Sequence, residues 1–153
     1  MPRPCPFRSK KLRDQADEIL RRAELLTPQD REFLRLVLDR GVPTSQLARQ
    51  AGLHRSTLRR RLHKLVRRLT DEQNLALLRA HDILRPTDRK LVVLSFLRGL
   101  STRDAARETG IPYHRARRRL DALKITADLL THSQHHNPDP LATQPAALAQ
   151  PHG

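Results

Sequence analysis

The chain has 153 residues, a formal net charge of +14 at pH 7 and a single cysteine, Cys5. This length allows one ordinary domain or two very small ones, and one cysteine excludes an internal disulfide framework. No apolar run approaches the length of a membrane span, and residues 1–8 lack the apolar region of a signal peptide. We therefore expect a cytoplasmic protein with no membrane partner.

The positive charge lies outside the C-terminal segment. Residues 131–153 contain Asp139 and no Lys or Arg, which leaves a net charge of +15 on residues 1–130. Such a charge predicts a polyanionic partner, nucleic acid before membrane. The aromatic residues are three Phe, one Tyr and no Trp, too few for the stacking platforms of single-stranded nucleic-acid binders. Composition therefore favours a nucleic-acid partner that is not bound by stacking on single-stranded bases.

The chain begins with a predicted irregular arm over residues 1–8, which contain three prolines. A leading helix is predicted from Ser9 to Leu26, where apolar residues recur at helical spacing. Thr27–Asp30 is a helix-start signal, with a cap, Pro28 at the first helical position and an acid in the first turn. A scaffold helix follows and is predicted to end at Gly41. Its inner face is predicted to be formed by Phe33, Leu34, Val37 and Leu38.

Residues 44–65 have the pattern of a helix-turn-helix. Thr44 is predicted to cap the first helix of the pair. Ala48 is the small residue expected where two helices approach closely. Gly52 lies where the turn needs a residue that tolerates positive φ, and Leu53 is predicted to close the turn into the core.

The second helix of the pair is predicted to begin at His54 or Arg55 and to extend to about Arg68. One side carries a stripe at helical spacing, formed by Leu58, Leu62 and Leu65. The opposite side carries Ser56, Arg59, Arg60, His63 and Arg67. A helix with apolar residues on one side and arginines on the other suits the major groove of DNA.

The same pattern returns 58 residues farther along the chain. An ungapped comparison of residues 26–65 with residues 84–123 gives 16 identities in 40 positions. Residues 70–73 resemble a capping box for a second leading helix, and Thr102 takes the second capping position. The last helix is predicted from Tyr113 to about Leu130. The inner positions of the second leading helix are predicted to be Leu75, Leu78 and Ile83.

These elements predict an all-α fold with two tandem four-helix units, each containing a helix-turn-helix. The predicted divisions are an irregular arm at 1–8, a first unit at 9–69, a second unit at 70–130 and a disordered tail at 131–153. The tail is rich in Pro, Ala, Gln and His. Its histidines are interpreted as part of the disordered segment rather than as metal ligands, namely His132, His135 and His136. No metal site and no cofactor are expected.

The residues that carry a resemblance to a known family are Leu26–Leu36, Ala48, Gly52 and Ser56–Leu62. This segment resembles the promoter-reading, fourth-region helix-turn-helix of bacterial sigma factors, which response-regulator DNA-binding domains share in outline. Residues 26–68 carry the resemblance well, and residues 84–124 carry it with Ala116 in place of a larger aliphatic residue. The chain is too short for the promoter-melting region and lacks its aromatics, so a complete sigma factor is not expected.

The resemblance implies roles for residues of both helix-turn-helix units. Those implied to face base edges are Arg55, Ser56 and Arg60 in the first unit and Tyr113, His114 and Arg118 in the second. Those implied to lie nearer phosphates are Thr44, Thr57, Arg59, Thr102, Arg115 and Arg117, to which the helical pattern adds Arg67. Arg61 and Arg119 lean towards the core, so a structural ion pair and a phosphate contact both remain open for them.

The expected function is that of a bacterial, nucleoid-associated transcriptional regulator that binds double-stranded DNA sequence-specifically. Two alternatives remain open. In the first, one unit binds DNA while the other binds RNA polymerase or another protein. In the second, the chain is the DNA-targeting subunit of a recombinase or transposase. No catalytic constellation is present, so an enzyme is not expected. Whether the two units share one core, and the oligomeric state, are left open by the sequence.

Overall fold

The computed structural model describes residues 10–135. Within this range the chain is all-α, which confirms the predicted fold class. Its helices are α1 (Lys10–Arg22), α2 (Pro28–Leu34), α3 (Thr44–Ala51), α4 (Arg55–Thr70), α5 (Glu72–Arg79), α6 (Pro86–Leu91), α7 (Thr102–Thr109) and α8 (Tyr113–His135). None of these described helices is long and apolar enough to cross a membrane. The predicted arm with Cys5, and residues 136–153 of the predicted tail, lie outside the described residues.

The last helix, α8, is longer than predicted. Residues 131–135, expected to be disordered, form its last turn. No Gly or Pro occurs between Pro112 and Pro138, so no residue type that breaks a helix ends it earlier. The hydroxyl of Thr131 donates to the carbonyl of Ala127 at 3.1 Å, which gives this polar side chain a partner inside the helix. The predicted start of the disordered tail at residue 131 is therefore wrong by five residues.

The same order of elements occurs twice in the described chain. The starts of α2, α3 and α4 lie 58 residues before those of α6, α7 and α8. A 3-10 turn follows each leading helix, at Ala23–Leu25 after α1 and at His81–Ile83 after α5. The scaffold helices α2 and α6 continue as π-helical turns, at Arg35–Asp39 and at Val92–Leu97. The pairs α3–α4 and α7–α8 then complete the two halves.

The N-terminal caps of α2 and α5 were both predicted, one at the correct residue and one a residue away. Thr27 caps α2 as predicted, and its Oγ1 accepts a hydrogen bond from a first-turn N–H at 3.4 Å. The cap predicted within residues 70–73 is displaced by one residue. Thr70 is the last residue of α4 and its hydroxyl donates to a carbonyl of that helix at 2.8 Å. Asp71 therefore caps α5, accepting a first-turn N–H at 3.0 Å.

The predicted caps at Thr44 and Thr102 are wrong. Each threonine is the first residue of its helix, and the capping positions belong to Pro43 and Ser101. Ser101 accepts a hydrogen bond from a first-turn N–H at 3.1 Å, whereas a proline side chain has no acceptor. The capping residue is the one before the first helical residue. The sequence pattern placed each helix start one residue too late, so each predicted cap is also one residue too late. Both threonines are half-buried.

Two apolar clusters form the interior. The first contains Ile19, Ala23, Leu26, Phe33, Leu34, Ala48, Leu58, Leu65, Leu69 and Leu97. The second contains Leu77, Leu91, Val92, Ala105, Ala106, Ala116, Leu120, Leu123 and Ala127. Leu97 comes from the second half of the chain, yet it is fully buried in the first cluster. Core packing therefore joins the two halves across the division predicted at residues 69 and 70.

Two apolar residues predicted to face the core are at the surface instead. Leu53 is 46% exposed and Ile83 is 82% exposed. Because α5 ends at Arg79, Ile83 lies in the 3-10 turn, where the helical periodicity that placed it inward no longer applies. At Leu53 the backbone closes the turn, its N–H donating to the Ala48 carbonyl at 2.9 Å. The turn therefore forms without burial of the Leu53 side chain.

A surface ion-pair cluster in the first half gives a pH-dependent contribution to stability. Arg31 and Arg35 donate to the Glu24 carboxylate at 2.9 and 2.7 Å, and the hydrogen bond from Arg31 is the main cause that lowers the pKa of Glu24. A carboxyl pKa lowered by folding stabilises the folded state above the unfolded-state pKa, and this contribution is lost as pH falls through the folded-state pKa.

We expect Glu24→Gln to reduce the pH dependence of stability. The difference between the urea midpoints of unfolding at about pH 7 and about pH 3 should be smaller in the variant than in the parent chain. An unchanged difference in urea unfolding at the two pH values would contradict the assignment.

Candidate nucleic-acid interface

Each half of the described chain contains two helices joined by a turn on a left-handed glycine. Gly52 has a φ of +64° and Gly110 a φ of +70°. A Cβ at either position would meet no atom within 4 Å, so the turn requires glycine for its backbone conformation and not for space. Ala48 and Ala106 are 2% and 4% exposed where the paired helices meet. The predicted turn and close-approach positions are thus confirmed.

The second helix of each pair is amphipathic. On α4, Leu58 and Leu65 are buried and Leu62 packs half-buried against them. The corresponding residues of α8, all buried, are Ala116, Leu120 and Leu123. This confirms the predicted stripe in both halves. It also fixes which side of each helix is turned to solvent.

The outward side of α4 is basic. Arg55, Arg59, Arg60 and Arg67 are exposed, and their side chains have no ion pair or hydrogen bond to any described residue. A guanidinium without an internal partner presents all its donors to solvent, in the planar arrangement that matches phosphate and guanine. This surface can therefore receive an anionic or guanine-containing ligand without breaking an ion pair.

Ser56 differs from these arginines because it is tied to the start of α4. His54 caps the helix, and its Nδ1 accepts the Ser56 N–H at 3.2 Å and lies 2.7 Å from Ser56 Oγ. The helix begins at Arg55, one of the two predicted starts. While its O–H is directed at His54, the Ser56 hydroxyl can accept a hydrogen bond from a base but cannot donate one. This cap was not predicted, because histidine is not among the preferred N-cap residues.

The outward side of α8 carries a different set of residues. Tyr113 is 48% exposed, and His114, Arg115, Arg117 and Arg118 are exposed. None of these side chains has an ion pair or hydrogen bond to another residue between 10 and 135. The two outward faces therefore offer different hydrogen-bonding groups at their N-terminal ends.

Two surface grooves bring predicted site residues together. One has a volume of about 460 Å³, and its lining includes Thr57, Arg60 and Lys64. The other has a volume of about 420 Å³, and its lining includes Thr102, Tyr113, Arg117 and Lys124. The two lysines were not predicted as site residues. Lys64 could have been found from its spacing of four residues from Arg60, which places both on one side of the helix. Thr44 lines neither groove.

The alternatives left open for Arg61 and Arg119 are resolved in favour of ion pairs. Arg61 Nη2 lies 2.6 Å from Asp30 Oδ1, and Arg119 Nη1 lies 3.3 Å from Asp88 Oδ1. These two pairs join the second helix of each half to its scaffold helix. The Arg61 guanidinium also lies 5.5 Å from the centre of the Phe33 ring, a favourable cation–π distance. Both guanidinium groups are therefore paired with a carboxylate of their own half, unlike those of the outward basic face.

We expect Arg61→Ala to lower the free energy of unfolding by about 1 kcal/mol, the sum of a partly exposed ion pair and a cation–π contact. Chemical unfolding followed by circular dichroism measures this change. The matched control is Arg59→Ala, which removes the same charge from an exposed position of the same helix and should leave stability within about 0.5 kcal/mol. Equal losses in the two variants would show that the contacts of Arg61 contribute nothing specific.

Charge is distributed unevenly between the halves. Residues 10–69 contain sixteen basic and seven acidic residues, a net charge of +9, whereas residues 70–135 contain twelve and eight, a net charge of +4. Helix α4 has seven Lys and Arg and no acid, but α8 has five and also carries Asp121 and Asp128. Electrostatic attraction of a polyanion is therefore stronger at the first half.

Comparison with known proteins supports the resemblance seen in the sequence. Residues 74–121 match the family model described as sigma-70, region 4. The match covers most of α5, all of α6 and α7 and the start of α8, in the half in which Ala116 departs from the usual residue. No curated protein and no solved structure matches the chain. Residues 74–121 thus resemble the helix-turn-helix of sigma-70 region 4, and this resemblance indicates DNA binding in transcription.

Proposed function

We propose that the protein is a sequence-specific, double-stranded DNA-binding transcriptional regulator that reads two major-groove segments with tandem helices, α4 and α8. One observation carries this proposal: both helices bury an apolar stripe and present to solvent arginines that have no side-chain partner among the described residues. The family match supports the second half. The first half is supported by its equal turn geometry and by the 58-residue repeat. A DNA partner of this kind implies a cytoplasmic, nucleoid-associated location.

The roles proposed for individual residues follow from their placement. Residues near the N-terminal end of a helix in the major groove meet base edges. On α4 the proposed base readers are Arg55, Ser56 and Arg60. On α8 they are Tyr113, His114 and Arg118. Arginine binds guanine O6 and N7 through two parallel hydrogen bonds, so Arg60 and Arg118 are the proposed guanine readers.

Phosphate contacts supply most of the affinity in this proposal. The residues assigned to them are Thr44, Thr57, Arg59, Arg67, Thr102, Arg115 and Arg117.

We expect Arg117→Gln to reduce the slope of log affinity against log salt concentration by about 0.9, because one counterion fewer is released when the variant binds DNA. Fluorescence-anisotropy titration over a salt series measures this slope. Arg21→Gln is the control, since Arg21 lies on α1 and pairs with Glu18; an equal change there would assign the effect to total charge.

The test of the proposal is selection from a randomised duplex pool by the full-length chain, repeated at two salt concentrations. Enrichment of a site with two short conserved blocks, bound less tightly at higher salt, is the expected result. Tight binding that enriches no sequence would make the outward faces general phosphate contacts and would reject the regulator. Absence of duplex binding would reject DNA as the partner.

A second candidate function is favoured by the outward side of α8. Ile125 is 61% exposed and Leu129 is 64% exposed, whereas the position matching Ile125 in α4 is Arg67. An apolar surface beside Asp121 suits a protein partner such as RNA polymerase better than a phosphate backbone. In that case α4 alone would hold DNA.

Paired variants of the full-length chain separate the two candidates. Arg59→Gln with Arg60→Gln removes charge from α4, and Arg117→Gln with Arg118→Gln removes it from α8. Comparable losses of DNA affinity support two reading helices. A loss confined to the α4 variant supports the protein-binding role of the second half. Separate halves would be a poorer test, because Leu97 is part of the first core.

A further inference from the structure

The junction between the two halves contains an apolar contact in which residues of the second half complete the core of the first. Leu97 ends the π-helical turn after α6 and is fully buried among residues of the first cluster. Val93 and Leu78, also from the second half, pack half-buried against the same cluster. The residue matching Leu97 in the first half is Asp39, which is exposed. The leucine at this position therefore packs across the junction, a contact that its counterpart in the first half does not make.

Arginine side chains reinforce this junction by donating to backbone carbonyls. Arg98 Nε donates to the Leu25 carbonyl at 3.0 Å, and Arg68 Nη1 donates to the Arg98 carbonyl at 3.4 Å. Each bond connects one half to the other. A hydrogen bond from a charged donor is worth more than one between neutral groups, particularly where water is partly excluded. Arg68 and Arg98 are both half-buried.

Gly99 allows the close approach of these groups. Its φ is +73°, and a Cβ there would overlap the Arg68 guanidinium. At Gly52 and Gly110, by contrast, the same addition would meet nothing within 4 Å. Gly99 therefore provides space for an arginine from the opposite half, in addition to its left-handed backbone.

We infer that Leu97, Arg68 and Arg98 are positioning residues that hold α4 and α8 at one fixed separation. The inference rests on the proposed function and deepens it: the target would be a two-part site with one permitted spacing. Proteins whose two reading modules are joined by a flexible linker tolerate several spacings, because the linker adapts. A packed and hydrogen-bonded junction removes that adaptability.

The rigid placement is tested without DNA, by electron–electron distance measurement between two spin labels. Gln50 on α3 and Glu108 on α7 are exposed and 58 residues apart, so Gln50→Cys and Glu108→Cys in a Cys5→Ser chain place labels at matching positions. The expected result is one narrow distance distribution. The distribution should broaden in Arg98→Ala and in Leu97→Ala. A broad distribution in the parent chain overturns the inference.

The matched control is Arg40→Ala. Arg40 is the counterpart of Arg98 in the first half, is exposed, and its side chain makes no hydrogen bond or ion pair with any described residue. It should leave the distribution narrow; broadening equal to that of Arg98→Ala overturns the role of the junction. If Leu97→Ala loses its helical circular dichroism, Arg98→Ala and Arg68→Ala, which leave both cores filled, decide the question.

Binding to duplexes in which the separation of the two blocks is changed then tests whether only one spacing is permitted. Inserting five base pairs, about half a helical turn, between the two selected blocks moves the second to the opposite side of the duplex. The parent chain should lose about 100-fold or more in affinity, the advantage of binding both segments at once, and Arg98→Ala should lose less. Equal binding to both spacings by the parent chain overturns the inference. A narrow distance distribution with no two-part site would instead reject the proposed function and leave the rigid junction standing.

Discussion

Arg60→Ala and Arg118→Ala are each expected to erase the preference for one base, with a loss of about 1–3 kcal/mol on the preferred sequence. Each arginine is exposed on the outward side of its helix and has no internal partner among residues 10–135. Removing the guanidinium removes both hydrogen bonds to a guanine while leaving the helix and its neighbours in place. Competition binding compares the selected duplex with duplexes changed at one position.

The adjacent arginine in the second half gives a matched control for this experiment. Arg119→Ala removes the same charge from the same helix, but Arg119 pairs with Asp88 on the scaffold side. Its substitution should therefore leave the base preference of the chain unchanged. If Arg118→Ala weakens all duplexes equally, as a lost phosphate contact would, the base-reading role is rejected.

Leu69→Ala is expected to lower the free energy of unfolding by about 2–5 kcal/mol. Leu69 is fully buried in the first cluster at the end of α4, so truncation loses the transfer free energy of three carbon atoms and leaves a cavity. This is a large part of the roughly 5–15 kcal/mol that holds a domain folded. Urea unfolding followed by circular dichroism measures the change.

The same substitution at an exposed leucine isolates the contribution of burial. Leu129 is 64% exposed on α8, so Leu129→Ala should change stability by no more than about 0.5 kcal/mol. A similar loss in both variants would mean that helix propensity accounts for the effect. A negligible loss in Leu69→Ala would mean that the end of α4 does not pack as described.

The parts of the fold that follow from local chemistry could be predicted from the sequence. Periodic leucines located the buried sides of α4 and α8, and Gly52 and Gly110 located the turns, because helical spacing and positive φ are properties of a few neighbouring residues. The predictions that were wrong concern residues at or just beyond the ends of helices. Thr44 was placed at a cap that belongs to Pro43, since the choice between adjacent capping positions depends on where the chain enters the helix.

The packing of one half on the other could not be predicted, because it depends on contacts between distant residues. Leu25 and Arg98 are 73 residues apart, and no local pattern relates them. The only available signal was a difference between the repeats, a leucine at 97 where Asp39 stands in the first half. More of the candidate site could be predicted, because the outward positions follow from the buried stripe. The cap by His54 was missed because histidine is rare at that position, and the grooves were missed because residues of more than one helix line them.

If the protein is the regulator proposed above, the junction around Leu97 also affects how occupancy of its DNA site depends on protein concentration. A dimeric regulator must associate before two reading helices reach DNA, so its occupancy at low abundance falls with more than the first power of concentration. Here α4 and α8 belong to one chain, and the packed junction orders them before DNA binds. Little further entropy is therefore lost in arranging them on DNA. Binding through both would follow a simple hyperbolic curve. A gene controlled in this way would respond gradually to the amount of protein, without the threshold that assembly imposes.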